Sequence, residues 1–414
     1  MKVSVIGSGY VGTTIAACLA EVGHEVVNVD IDDEVVASIN DGVAPIHEPR
    51  LGELVEEHVA SGALRATTDY GAVRETDVTF VCLPTPTRDG SVDLSAVDAG
   101  VGSLGGALGD KEHVVAVKST VPPGTAEDVV APRLGENVGI VSNPEFLSEG
   151  TAVDDFMTPD KVVVGGDDEE ARRTVLSVYE PIIEDSGASV VETGNREAEM
   201  IKYANNAFLA SKVSLVNEIA NICKELGVDA YEVMDAVGED DRISSRFMRS
   251  GLGWGGSCFP KDVDALRSFA RDAGYEPVLL DAVVEVNDLQ PRRAVELLRK
   301  HVELDGARVA VLGLAFKPGT DDVRGSRGLE VARILREEGA DVVAYDPRAN
   351  ENARNEMPDI EYAATADEAL EDADAAVIAT DWEEFEGIDA SGKVVVDGRR
   401  IEVRNAEAYE GLCW

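Results

Sequence analysis

The stretch KVSVIGSGYVGTTIAACLAEVGHEVVNVD, Lys2 to Asp30, decides the fold. It opens on a short apolar run and turns at three glycines. It continues in an alanine-rich helical pattern and closes on a second apolar run ending in an aspartate. That order predicts a strand, a helix and a second strand, one βαβ unit. Gly7, Gly9 and Gly12 form G-x-G-x-x-G at the strand-to-helix turn, and Asp30 follows Gly12 by eighteen residues. In this setting the pattern reads as a dinucleotide fingerprint. Gly7 permits the turn, Gly9 lets the backbone approach a pyrophosphate, and Gly12 allows close helix–strand packing. The helix N-terminus favours phosphate charge, and Tyr10 and Val11, which open the helix, join the cofactor-binding candidates. Asp30 would accept from both ribose hydroxyls and repel a 2′-phosphate, so NAD is expected in preference to NADP.

Working outward, DVTFVCLPTP, HVVAVKST and NVGIVSNPEF read as further strands, with helical patterns between them. Alternating β and α elements predict a doubly wound parallel sheet. KVVVGG, a helical DEEARRTVLSVYEPII and a strand SVVET complete a first, NAD-binding domain over residues 1–194. From Arg196 to about Leu226 the pattern is helical and uninterrupted by proline, too long for an average helix. It predicts a linker and dimer surface, and with two more helical stretches it fills a central domain, 195–304. The βαβ pattern returns at ARVAVLGLAF, RGLEVARILREEG and ADVVAYDP, with two more strands at ADAAVIATDW and GKVVVDGR, giving a second α/β domain over 305–414. The fold class is α/β, two Rossmann-like sheets joined by a long central helix. Thr85 in CLPTP and Thr120 in VKSTVPPGT stand beyond strand C-termini, where their hydroxyls could touch a nicotinamide or its ribose, or simply cap their own loops.

The composition sets further bounds. Among 414 residues, 37 Lys and Arg stand against 80 Asp and Glu, a net charge of −43. Such a surface repels nucleic acid and anionic lipid, so neither is an expected partner. The acids are dispersed, which suggests a halophile; in molar salt the Debye length is about 3 Å and self-repulsion is screened. No apolar run is long enough to span a membrane, and the N-terminus lacks the features of a signal peptide. Five cysteines without CxxC spacing read as reduced cytoplasmic thiols. Five histidines without HExxH spacing argue against a metal.

GWGGSCFPKD, Gly253 to Asp262, carries the second site. Glycines admit close approach to Cys258, and Lys261 and Asp262 follow within four residues. A thiolate beside a nicotinamide can trap an aldehyde as a thiohemiacetal, and hydride loss then leaves a thioester. Lys261 would favour the thiolate, and Asp262 could hold water or take a proton. The plainer reading is Cys258 as a packed small hydrophobe.

GSGYVG, NPEFLSEG, KYANN, GGSCFPKD and FKPGTDDVRGSR stand in this order over almost the whole chain. Together they resemble the UDP-glucose/GDP-mannose dehydrogenase family, and most closely its UDP-glucose 6-dehydrogenase branch. The resemblance implies two Rossmann-like domains, a homodimer through the long helix, NAD as cofactor and a UDP-sugar as substrate. It implies twofold oxidation of the sugar C6 alcohol, with Cys258 as nucleophile. Lys202 and Asn206 would stabilise the C6 oxyanion, and their i, i+4 spacing puts them on one helix face. Asp262 would accept a proton or hold water. Glu149 and Thr120 would position the hydrolytic water, and Glu145 matches a further acidic active-site residue. Phe146, Leu147, Ser148 and Glu149 resemble the UDP-sugar loop. Phe247, Gly251, Gly255 and Lys317 match substrate contacts, alongside Lys202 and Asn206. Lys261 and Arg324 match cofactor contacts.

RFMRSGLGWGG departs from the aromatic, Asn- and Pro-bearing run that often precedes these glycines in the family. The sugar-ring contacts therefore stay open, and UDP-N-acetylmannosamine, UDP-N-acetylglucosamine and GDP-mannose remain alternative substrates. A one-step 6-phosphogluconate-type dehydrogenase would share the architecture without needing the thiol, and an NAD-sensing binding protein would turn over nothing. Cys18, Cys82, Cys223 and Cys413 are expected to be packing or surface residues.

Overall fold

A computed structural model describes residues 1–88 and 90–414. The chain divides into two compact units, Met1–Asn205 and Asn206–Trp414.

The first unit holds an eight-stranded sheet of β1 (Lys2–Ile6), β2 (Glu25–Val29), β3 (Leu64–Thr67), β4 (Val78–Val81), β5 (His113–Val117), β6 (Val138–Ser142), β7 (Lys161–Gly165) and β8 (Ser189–Thr193). Their order is β8-β7-β6-β5-β4-β1-β2-β3. Starting from the β3 edge this is 3-2-1-4-5-6, the doubly wound order, extended by two strands. Helix α1 (Tyr10–Glu21) makes the first crossover. The pairing is parallel from β3 to β6, and β7 and β8 run parallel to each other. β6 and β7 meet through one antiparallel bridge, Ser142 to Gly165. The outer pair is thus reversed relative to the parallel sheet expected. Strand side chains alternate between two buried clusters. Val3 and Val5 join Ile15 and Leu19 on one face, while Ile6, Val27 and Val29 join Val97 and Leu104 on the other. Burial on both faces explains the near-continuous apolar runs, and each fully buried Val or Leu contributes roughly 1.5–3 kcal/mol.

The second unit repeats the plan with six strands, β9 (Arg308–Leu312), β10 (Asp341–Tyr345), β11 (Glu361–Tyr362), β12 (Ala375–Ile378), β13 (Val394–Asp397) and β14 (Ala408–Gly411). The order β11-β10-β9-β12-β13-β14 is again 3-2-1-4-5-6, parallel throughout. Val309 and Val311 face one cluster, Ala310 and Leu312 the other. The chain passes from one unit to the next along a 31-residue helix, α2 (Asn195–Glu225), as the uninterrupted pattern predicts. Helices α3 (Phe259–Asp272) and α4 (Val278–Arg299) precede the second sheet. Among the described residues no helix is long and apolar enough to cross a membrane.

A buried polar file crosses the first sheet. The hydroxyls of Ser4 and Thr79 lie 2.6 Å apart, and Thr79 Oγ1 lies 2.7 Å from His113 Nε2. Burial pushes the His113 imidazole down to about 4, with Lys111 adding repulsion. Between pH 4 and 6.5 the unfolded chain therefore binds a proton that the folded chain refuses. Stability is full above about pH 6.5 and falls as pH drops toward 4, by about 2–3 kcal/mol from this residue. Urea midpoints measured at pH 7 and pH 5 should show about two-thirds of that loss in the native protein and a smaller one in His113→Gln.

Candidate active site

The first unit brings the fingerprint and two loops to one end of its sheet. Gly7 has φ +96°, and a Cβ there would lie 2.5 Å from the Cys82 carbonyl oxygen. A Cβ at Gly12 would lie 1.9 Å from the Gly7 carbonyl oxygen, so only hydrogen fits. At Gly9, the N-cap of α1, a Cβ would meet no atom within 4 Å. The glycines at 7 and 12 thus serve the protein's own packing, whereas the one at 9 leaves open space over a helix N-terminus, where a pyrophosphate fits. Asp30 closes β2, half-buried; its Oδ2 accepts the Ser8 N–H at 2.6 Å and its Oδ1 the Asp32 N–H at 3.1 Å. A carboxylate offers about four acceptor sites, which leaves capacity for ribose hydroxyls. Val11 packs partly buried on the α1 side of the sheet. The Tyr10 hydroxyl is engaged inside the protein: it donates to Glu48 and accepts the Gly150 N–H at 3.1 Å. Thr85 is buried and donates to the Thr120 carbonyl at 2.7 Å, joining the loops after β4 and β5.

Beyond β6, Glu145 is buried and takes the Lys202 ammonium of α2 at 2.7 Å and the Leu147 N–H at 2.6 Å. Burial alone would raise this carboxyl; Lys202, the Leu147 N–H and Lys118 hold it below the usual carboxylate range. Phe146 has two ammoniums near its ring, Lys161 at 4.1 Å and Lys202 at 5.6 Å from the centroid, a cation–π arrangement. Ser148 is exposed, and its N–H donates to Asp155 at 2.8 Å. Leu147 and Glu149 are half-exposed, and the Glu149 charge acts on the Tyr10 hydroxyl.

Two cations here escape sequence reasoning. Lys118 is buried at the end of β5, donating to Asn143 at 3.2 Å and to the Pro144 carbonyl at 3.4 Å, and burial pushes it down to about 8. Lys161, at the start of β7, is lowered by partial burial and donates to Asn205 at 3.0 Å. The available signal was a lysine at either end of an apolar strand, in HVVAVK and KVVVGG.

In the second unit, Cys258 is the N-cap of α3. It alone of the five cysteines is exposed, and none is in a disulfide. Burial pushes the thiols of Cys18 and Cys82 up to about 12 and that of Cys413 up to about 11. At position 258 the first-turn N–H groups of the helix focus positive potential. One turn on, Asp262 is 1% exposed and accepts from Asn206 at 2.6 Å and from Lys261 at 2.5 Å. Asn206 and Asp262 thus meet, and Lys261 pairs with its neighbour.

The preceding loop is held by side-chain amides that are themselves fully buried. Asn217 accepts the Gly251 N–H at 2.8 Å, Gln290 donates to the Gly251 carbonyl at 2.9 Å, and Asn287 accepts the Trp254 N–H at 2.7 Å. A Cβ at Gly255 would lie 2.1 Å from the Gly325 carbonyl oxygen. The Gly256 N–H donates to the Arg324 carbonyl at 2.9 Å. The loop before Cys258 therefore rests on the FKPGTDDVRGSR segment. Arg324 pairs its guanidinium with Asp322 at 2.6 Å, and Lys317 lies 5.2 Å from the Phe316 ring centroid. Phe247 is exposed at φ +62°, a left-handed conformation that costs a non-glycine residue about 1–2 kcal/mol.

A dinucleotide cradle on a doubly wound sheet and one exposed thiol on a helix N-terminus define the class of an NAD-dependent dehydrogenase. The comparisons narrow it. Residues 1–183, 196–289 and 310–403 match the NAD binding, central and UDP binding domains of one family. The chain belongs to the UDP-glucose/GDP-mannose dehydrogenase family, and NAD is its cofactor. It is 57% identical to the UDP-glucose 6-dehydrogenase AglM of Haloferax volcanii, with the whole of both chains covered. A UDP-glucose dehydrogenase structure from Pyrobaculum islandicum superposes with TM-score 0.95 at 44% identity, over 100% of this chain and 98% of that one. A UDP-D-ManNAc dehydrogenase from Pyrococcus horikoshii gives 0.86 at 28% identity, over 100% and 99%.

The glycine geometry separates two variants. Gly9→Ala should keep its melting temperature and bind NAD at least about tenfold more weakly, because only ligand space is filled. Gly12→Ala should lower the melting temperature by several degrees, roughly 2 kcal/mol or more, because its methyl meets a carbonyl. Thermal melts and NAD titration of both check this.

Proposed function

We propose that the chain oxidises the C6 alcohol of UDP-glucose twice, with two NAD, to give UDP-glucuronate. The observation that carries the reading is Cys258, the one exposed thiol, on a helix N-terminus one turn from buried Asp262. NAD, when bound, supplies the hydride acceptor for each oxidation. Asp262 takes the proton of the C6 hydroxyl, and the Cys258 sulfur bonds to the aldehyde carbon, whose π electrons move to oxygen. Lys202 and Asn206, one turn apart on α2, stabilise that oxyanion. Hydride loss from the same carbon leaves a thioester on Cys258. Glu149 and Thr120 position the water that cleaves it, and Glu145 is a further acidic residue of the site. Phe146 to Glu149, Phe247, Gly251, Gly255 and Lys317 hold the nucleotide sugar, and Lys261 and Arg324 assist at the cofactor. Glucose is favoured over the N-acetylated sugars by the closeness of the Haloferax relative.

The same proposal assigns residues 1–194 to NAD, 195–304 to linkage and dimerisation, and 305–414 to the UDP moiety. Phe208, Leu215 and Ile222 support a homodimer through α2: they recur every seventh residue and are 74%, 60% and 52% exposed, an apolar stripe suited to a second copy of the chain. The net charge of −43 and the Haloferax relative support a halophilic enzyme, and the reduced thiols a cytoplasmic one.

NADH formed per UDP-glucose consumed should be two, with UDP-glucuronate identified by mass spectrometry; a ratio of one sinks the thioester route. Cys258→Ser should stall before the second oxidation and lose at least about a thousandfold in turnover. Leu215→Asp should shift the sedimentation of the assembly toward a monomer, and activity should rise toward molar KCl as charge repulsion is screened.

A further inference from the structure

The first turns of α2 collect the loops that follow β5 and β6. Asn195 Oδ1 accepts the Ser142 N–H at 2.9 Å. Arg196 pairs with Glu127 at 2.6 Å and with Asp128 at 3.2 Å. Glu199 accepts the Gly124 N–H at 2.5 Å, the Ala126 N–H at 2.8 Å and the Ser142 hydroxyl at 3.3 Å. Lys202 completes the row on Glu145. Positions 195, 199 and 202 are spaced i, i+4, i+7 and share one helix face.

Lys202 and Glu145 belong to the chemistry proposed above; Glu199 has no part in it. Its side chain is nonetheless in the interior, 4% exposed. Burial raises its pKa, and the three donors only partly offset that. A carboxylate kept there at such a cost points to what its oxygens hold. They hold the turn Gly124–Ala126, at the far end of the arm Thr120-Val121-Pro122-Pro123. Two consecutive prolines make the arm stiff. The Thr125 N–H and hydroxyl both close back on the Pro122 carbonyl, at 3.0 and 2.6 Å. At its near end the Thr120 carbonyl is held by Thr85. A shift at Gly124 therefore carries to Thr120.

We propose that Glu199 is a positioning residue for the hydrolytic half of the reaction: by gripping the Gly124–Ala126 turn it fixes the diproline arm, and so the place where Thr120 holds the attacking water. The inference rests on the thioester reading and deepens it. In the step concerned, the water oxygen bonds to C6 and the C6–S bond breaks, its electron pair going to sulfur. One water proton returns to Cys258, the other leaves to solvent, and the product is a carboxylate; nothing is oxidised or reduced.

Glu199→Gln tests it, because the amide keeps the shape but turns an NH2 toward backbone donors. Turnover should fall about tenfold to a hundredfold, the penalty of a displacement near 1 Å. Single-turnover release of the first NADH should stay within about twofold of the native rate. Intact-mass measurement during turnover should reveal the UDP-sugar adduct on Cys258 accumulating. Thr120→Ala added to this variant should slow it little further, since both act on the same water. Pro123→Gly, which loosens the arm without touching Glu199, should give the same adduct and covers the case in which Glu199→Gln does not fold. Slowing of both oxidations alike without an adduct, or unchanged turnover, overturns the inference. If the native enzyme itself yields one NADH per sugar, it is the thioester reading that fails; if it yields two and neither variant accumulates adduct, only the role of Glu199 does.

Discussion

At position 12 there is room for a hydrogen atom and nothing more: a methyl would sit 1.9 Å from the Gly7 carbonyl oxygen. This contact sets how closely α1 lies on β1. The depth of the helix N-terminus over the strand ends, and so the place where phosphate charge is favoured, follow from it. The second sheet uses the same device. A Cβ at Gly328 would lie 2.1 Å from the Gly313 carbonyl oxygen, and the Gly313 N–H reaches the Tyr345 carbonyl at 2.8 Å, as Gly7 reaches Val29 at 2.8 Å. Two stretches with little sequence in common thus obey one steric rule.

What separates the two halves is the aspartate that closes the second strand. Asp30 spends its oxygens on two backbone donors and stays half-exposed. Asp346 is 1% exposed and takes five donors: the N–H groups of Leu314, Ala315, Arg348 and Ala349, and the indole of Trp382. Its acceptor capacity is spent within the protein. The second sheet keeps the scaffold of the first, but the aspartate that closes its second strand is a structural clasp. Its first loop supports the glycines before Cys258 instead, through Gly255 against Gly325 and Gly256 on Arg324.

The fold was legible because its signals are local. Strands buried on both faces read as apolar runs, three glycines mark a turn that only glycine can make, and a helix without proline runs on to 31 residues. The short strands β3, β11 and β14 were missed: two to four residues with partly exposed side chains carry little periodicity. The reversal of β7 and β8 was also out of reach, since direction depends on a single bridge between distant segments. At the candidate site, the residues that motif singled out are those whose type itself suggests the chemistry, a thiol, a lysine one turn from an asparagine, an aspartate one turn past the thiol. Lys118, Lys161, Glu48 and Glu199 were not legible. Each is an ordinary charged residue in sequence, and its importance comes from burial and from partners in distant segments: Tyr10, Gly150 and Ala152 for Glu48, Gly124 and Ala126 for Glu199.

Those buried charges also answer a problem set by the composition. A chain carrying −43 must attract NAD and an anionic nucleotide, both of which its surface repels at long range. Distance resolves the conflict. Acids spread over the surface act through solvent, and in molar salt their reach shrinks to about 3 Å. Lys118 and Lys202 are buried beside Glu145, where salt screens the field far less. High salt therefore screens the surface acids far more than these buried lysines. The acidity of such a surface and the lysines that hold the loop after β6 are compatible because they lie on opposite sides of the dielectric boundary.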